Sequence, residues 1–234
     1  MALAEGRRTG IHEDAQTLSE QAYDLLRRDI LQGAYIPGDK LLLDAASDKY
    51  GIGINPIREA LNRLSSEGLV ERKTQRGFFV SRLSIDDLEE LVKARIWLET
   101  RALSESVAHA NEAWEDRLVL SYHRLARTNR TIDSEGGFGV NQIWEDRHRD
   151  FHMALIENCQ SSWLIGFCAT MLDQSVRYRN LSVNANHKRR GDAQAEHQDI
   201  VNAVLDHDVQ KAAELLENHY LQTLEGIRKI VSGQ

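Results

Sequence analysis

Two prolines in 234 residues leave little to interrupt a helix. With only 15 glycines beside them, long helices can run through most of the chain. No stretch approaches the ~20 apolar residues that span a bilayer, so no membrane partner is expected. The two cysteines, Cys159 and Cys168, fit no zinc or redox spacing. They read as reduced thiols of a cytoplasmic protein, with Cys168 on an apolar helix stripe. Met1 to Gly10 is polar, carries Arg7 and Arg8, and lacks the apolar run of a signal peptide. Residues 1–16 are therefore expected to form a disordered arm. The chain also has no glycine-rich phosphate loop and no nucleophile elbow, which removes two common enzyme classes.

What is present is ordinary for a globular protein: 41% hydrophobic and 28% charged residues. The length suggests two domains. A net charge of -7 argues against a wholly basic nucleic-acid binder. Its distribution argues otherwise, because Ile54 to Arg82 holds Arg58, Arg63, Arg72, Lys73, Arg76 and Arg82 against Glu59, Glu67 and Glu71. Phosphate contacts need a local basic surface, not a basic protein.

Leu18, Ala22, Leu25, Leu26 and Ile30 recur at helical spacing, with Thr17 or Ser19 as cap. Ile36-Pro37-Gly38-Asp39 reads as a turn. A second helix is expected over Leu43 to Tyr50. A third starts at Asn55-Pro56, with Asn as cap and Pro at the first helical position. Leu69 to Arg72 and Phe78 to Val80 read as two strands joined by the basic turn Lys73-Thr74-Gln75-Arg76-Gly77. Three helices and a β-ribbon make a winged helix-turn-helix over residues 17–82, whose third helix would enter the major groove.

Leu31-Gln32-Gly33-Ala34-Tyr35-Ile36-Pro37-Gly38-Asp39-Lys40-Leu41 resembles the opening of the GntR family of regulators. Pro56-Ile57-Arg58-Glu59-Ala60-Leu61, with Glu67-Gly68-Leu69-Val70, resembles its recognition-helix signature. Arg76-Gly77 resembles its wing tip. The likeness implies a double-stranded DNA operator and a homodimer. In the resembled family a Ser-Arg pair and a further arginine usually stand where this chain has Gly53, Ile54 and Asp44. The operator is thus expected to differ from the family's common one, with weight on Asn55, Arg58, Arg72, Lys73, Thr74, Gln75, Arg76 and Gly77.

From Ser84 onward the pattern is helical only. Ser84 with Asp87 reads as a capping signal. About six helices are expected, over 85–110, 112–132, 138–158, 161–180, 189–206 and 208–231. The fold class is therefore mainly α: a winged helix followed by an all-α bundle over 83–234. Asp86 to Glu99, Phe151-His152-x-Ala154-Leu155, Glu196-His197-x-x-Ile200 and His219 resemble the FCD ligand domain of the FadR-like subfamily.

Four of the nine histidines fall on apolar faces. His148 and His152, four apart, share a face with Trp144, Phe151 and Leu155. His197 leads the stripe Ile200, Val201, Val204, and His219 continues Ala212, Leu215, Leu216. A single inward histidine is more often a satisfied core residue than a ligand. Four in one bundle suit a divalent transition metal, with zinc the first choice and nickel another. The FCD resemblance implies a metal held by an Asp and three His, and here His148 stands in the Asp place. His12, His109, His123, His187 and His207 read as exposed. Arg95 lies on the inward stripe Leu88, Val92, Glu99, Ala102; it either faces an effector or pairs with Glu99. Arg177 and Arg179 are further candidates for holding a small carboxylate effector. The rival reading, a metal-dependent helical enzyme, is weakened because His148-Arg149-Asp150-Phe151-His152 has Arg where H-E-x-x-H has its general base.

Overall fold

The structure, a computed structural model, describes residues 16–134, 137–185 and 193–231. The expected arm through Ala15, with His12, and residues 186–192, with His187, lie outside the described residues.

Helix α1 (Leu18–Leu31) begins at Thr17, whose side chain accepts from the Glu20 N–H while Glu20 reaches back to the Thr17 backbone. This reciprocal cap satisfies two orphan donors at once. Its apolar face, Ala22, Leu26 and Ile30, packs on α3 (Ile54–Ser66) through Ile57, Leu61 and Leu64. The short α2 (Leu43–Tyr50) ends at Gly51, in the left-handed region at φ 65. Helix α3 starts two residues earlier than expected, at Ile54, with Gly53 as N-cap and no side-chain cap. Asn55 therefore does not cap it, and its amide is left for other partners.

The wing holds three strands rather than two. β1 (Lys40–Leu41) and β2 (Val70–Lys73) flank β3 (Gly77–Val80), all antiparallel, with Lys40 opposite Phe79 and Glu71 opposite Phe79 on the other side. Two residues after a proline turn are too few to give a strand period, so β1 escaped the sequence reading. Alternate residues Val70, Phe78 and Val80 turn inward.

The C-terminal part contains α4 (Ile85–Ala108), α5 (Glu112–Ala126), α6 (Gln142–Ile156), α7 (Ser162–Ala185), α8 (Ala193–Leu205) and α9 (Val209–Val231). Ser84 caps α4 by accepting from Asp87 N–H. A buried core of Trp114, Leu118, Phe151, Leu155, Ile200, Val204 and Leu216 joins these helices. The Trp114 indole N–H donates to the Ala154 carbonyl at 2.7 Å. That bond satisfies the one polar atom of a fully buried ring.

Two expected helix boundaries are corrected. The helix over 112–132 stops at Ala126, and the one over 138–158 starts at Gln142. Between them β4 (Thr131–Ser134) and β5 (Gly137–Val140) form an antiparallel hairpin, with Thr131 opposite Val140 and Ser134 opposite Gly137. The physical reason is local. β-branched Thr131 and Ile132 favour a strand, and a two-residue gap containing glycine suits a tight hairpin. Asn141 then caps α6. Helix α7 runs five residues beyond the expected end at Asn180.

Helix α7 also touches the winged helix. Asp173 pairs with Arg27 of α1 at 2.6 Å, and Asn180 Nδ2 donates to the Leu31 carbonyl at 2.7 Å. Gln174 Nε2 donates to the Glu67 carbonyl at 2.5 Å, and Arg177 donates to the Ser81 carbonyl. Val176 is buried within the winged-helix core. Its burial contributes about 1.5 kcal/mol to holding the two parts together.

Candidate functional site

His148 and His152 project from α6, His197 from α8 and His219 from α9, all four buried. One nitrogen from each lies within 4.8 Å of the others. His148 and His152 approach Nε2 to Nε2 at 3.2 Å. Burial, reinforced by the neighbouring imidazoles, pushes both well below the ordinary histidine range. They are therefore neutral, with lone pairs available to a metal.

Hydrogen-bond partners decide which nitrogens face the centre. Glu196 lies 2.7 Å from His219 Nδ1, so Nδ1 carries a proton and a neutral ring would turn a bare Nε2 to the cluster. Tyr220 gives its only proton to Glu99 at 2.5 Å. Its contact with His152 Nδ1 at 3.2 Å must then be an N–H donated by histidine, again leaving Nε2 bare. Carboxylate and hydroxyl partners of this kind orient metal-bound imidazoles. His148 Nδ1 is buried and meets no hydrogen-bond partner among the described residues. Trp144 stacks on its ring, centroids 4.6 Å apart at 22°. Four converging imidazoles, His148 and His152 held neutral by burial and His152 and His219 oriented by hydrogen bonds, fit a divalent late transition metal.

From Tyr220 a buried polar chain leads away from the histidines. Arg95 binds Glu99 with two nitrogens, at 2.6 and 3.2 Å, and lies over the Tyr220 ring at 4.1 Å. Burial alone would lower its pKa, but Glu99 and Tyr220 outweigh this and hold it raised. Ser175 Oγ accepts from Arg95 at 3.2 Å and from Arg179 at 2.9 Å. Arg179 in turn pairs with Glu145 at 2.7 Å, both side chains 3% exposed. So Arg95 and Arg179 are brought to the cluster, and the pairing of Arg95 with Glu99 is realised. Arg177 is not brought there: its guanidinium lies against Ser81, at the junction of the two parts.

Sequence reasoning missed Glu145, Ser175, Glu196 and Tyr220. Glu196 stands beside His197 and Tyr220 beside His219, which hinted at them. Glu145 and Ser175 gave no signal, since each is an ordinary polar residue until a distant arginine arrives.

The DNA-facing residues are arranged as a helix tip and a wing. Gly53, Asn55 and Arg58 are exposed, and Ile54 is 39% exposed. Arg58 Nη1 donates to Asn55 Oδ1 at 3.1 Å, which aligns the two. Asp44 is exposed in the first turn of α2. Arg72, Thr74, Gln75, Arg76 and Gly77 are exposed on the wing; Gln75 at φ 59 and Gly77 at φ 93 shape its tip. Lys73 is half-buried, paired with Glu71 at 3.1 Å.

Comparison with known proteins agrees with this geometry. Residues 18–80 match the bacterial regulatory proteins of the gntR family, and residues 90–222 match the FCD domain. The HTH-type transcriptional regulator BphR of Paraburkholderia xenovorans is 34% identical over 92% of this chain and 87% of its own length. The HTH-type transcriptional repressor GlaR of Escherichia coli is 29% identical, over 92% of this chain and 98% of its own. The solved structure of E. coli McbR/YncC shares the fold, with a TM-score of 0.74 at 18% identity, covering 91% of this chain and 98% of that one. No helix among the described residues is long and apolar enough to cross a membrane. The chain belongs to the GntR family, in the branch with an FCD domain, and is a DNA-binding transcription regulator rather than an enzyme.

Proposed function

We propose that this regulator is a homodimeric repressor whose operator affinity is set by a small carboxylate bound beside a metal in the FCD domain. The observation that carries the reading is Ser175. Its hydroxyl joins Arg95 to Arg179, while its neighbours on α7 grip the winged helix. His148, His152, His197 and His219 would hold the ion, zinc first among the late transition metals, and it would supply Lewis-acid attraction for an anionic ligand. Arg95 has five N–H groups and spends three on Glu99 and Ser175, Arg179 stands beside it through the same serine, and a guanidinium pairs bidentately with a carboxylate. A carboxylate drawing on these arginines loosens their hold on Ser175 and shifts α7. That moves the recognition helix relative to its copy in the dimer, and so changes operator affinity.

Repression is supported by GlaR, a named repressor that matches nearly end to end. Dimerisation is supported by exposed aromatic surface on the FCD part, with Trp97 65% and Trp163 79% exposed. A domain division near Ser81 to Ser84 is supported by two separate buried cores, although Val176 joins them.

The test is operator binding measured with zinc-loaded and chelated protein across a panel of organic acids. At least one acid should change operator affinity only when metal is present. Thermal stability should rise with the same acid, since a ligand of the folded state alone raises it. If no acid alters either quantity in loaded protein, the sensing role is lost.

A further inference from the structure

Away from the histidines, an open pocket of about 750 Å³ lies where the end of α5, strand β4 and the start of α6 meet. Arg127, Arg130 and Arg147 line it, and no acidic side chain is among its described lining residues. The rest of the wall is neutral and polar or aliphatic, including Thr128, Asn129 and Asn141. Its size suits a small-molecule ligand. The guanidinium groups of Arg127 and Arg147, facing one space, repel each other, and an anion placed between them removes that cost.

Two of the arginines are held in place. Arg147 spends one terminal nitrogen on the Arg124 carbonyl at 3.1 Å and on the Thr128 hydroxyl. Its other N–H groups remain available. Arg130 lies over the Trp144 ring at 5.3 Å. Asp146, beside Arg147 on α6, accepts from Gln142 at 2.7 Å. Among the described residues, neither Arg127 nor Arg147 has a carboxylate within ion-pair distance.

We infer that this pocket binds a second ligand: a small, multiply charged oxyanion bearing phosphate or carboxylate groups. The site is separate from the carboxylate position beside Arg95, but not isolated from the histidines. Arg130 covers Trp144, and Trp144 stacks on His148. An anion that pulls Arg130 outward uncovers the outer face of Trp144, so its fluorescence reports occupancy.

Chelated full-length protein is titrated calorimetrically with pyrophosphate and, separately, with propane-1,2,3-tricarboxylate. Binding of at least one is expected, with a change in tryptophan emission that Trp144→Phe removes. Preference for pyrophosphate assigns a phosphorylated ligand; preference for the tricarboxylate assigns a polycarboxylate. Losing a charge-assisted contact in Arg127→Gln or Arg147→Gln should weaken binding about tenfold. Arg101→Gln, on the exposed side of α4, should leave it unchanged. Arg147 also ties down the end of α5, so the exposed Arg127→Glu keeps the test valid if Arg147→Gln misfolds. No binding of either anion at millimolar concentration, or equal affinity in Arg127→Glu, overturns the inference. Because the metal is absent throughout, that failure leaves the carboxylate-sensing proposal standing.

Discussion

Arg27 and Asp173 meet at 2.6 Å across the junction between the winged helix and α7. Asp173 also holds Arg149 of α6 at 2.9 Å, so one carboxylate ties the DNA-reading part to the helix that carries His148 and His152. The pair is partly exposed, 25% and 20%, and such pairs contribute about 0.5–1 kcal/mol. Asp173→Asn should therefore change operator affinity only a few-fold while leaving metal content intact. Fluorescence anisotropy with a labelled operator measures it, and an unaltered response to effector would show that Asp173 is not part of the coupling.

Metal retention depends on the four imidazoles acting together. His197→Ala or His219→Ala should lower the metal recovered per chain and reduce thermal stability, because metal affinity becomes folding free energy. Elemental analysis of the purified proteins gives the answer. Equal metal in the quadruple alanine variant would remove the assignment.

Arg95 cannot be tested by simple truncation. Arg95→Ala leaves Glu99 buried without its cation, which costs about 3–5 kcal/mol. The double variant Arg95→Met/Glu99→Met should recover most of that stability yet fail to respond to effector. Chemical denaturation of both variants separates the two roles. A double variant as unstable as Arg95→Ala would contradict the pairing argument.

Base reading and phosphate binding should separate along the DNA face. Arg58→Ala should relax sequence preference by about 1–3 kcal/mol at one position. Arg72→Ala should weaken all sequences alike and flatten the salt dependence. Lys73→Ala should do so less, since Glu71 already holds Lys73. Ile54→Arg should shift preference toward guanine. A selection on random duplexes that returns the same operator for every variant would show that these side chains read nothing.

Asp29 sets an acid limit for the winged helix. Burial opposes its ionisation, but hydrogen bonds from Lys49, Tyr50 and Arg28 outweigh that and hold its pKa below the ordinary value. A lowered folded pKa means stability that is fully present above about pH 4, the unfolded value, and lost as pH falls through the folded one. Asp29→Asn should remove about 1–2 kcal/mol at neutral pH and flatten the acid limb of the denaturation curve. Thermal melts between pH 3 and 7 on both proteins would show it, and parallel limbs would exclude Asp29 as the cause.

Much of the fold was legible because period and punctuation agreed. Thr17 with Glu20, Ser84 with Asp87 and the apolar stripes of α1, α4 and α9 each stated a helix locally. The four histidines were legible for the same reason, since inward facing follows from spacing alone. The β4–β5 hairpin was not, because its strands are four residues each and short polar segments carry no clear period. Nor could spacing reveal that Ser175 would meet Arg95, 80 residues away. Arg177 and Arg179 looked equivalent in sequence, yet at two residues apart they face different sides of one helix.

Val176 carries a consequence for how such proteins are recombined. Its side chain completes the core of the reading head, although it belongs to the sensor. A reading head cut out at residue 82 would keep its fold signals but lose a packing partner. Chimeras that join this head to another sensor should work only where the acceptor offers a β-branched or similarly shaped residue at the matching helical turn. Otherwise the graft leaves a hole of about one side chain, and the head becomes a looser reader than either parent.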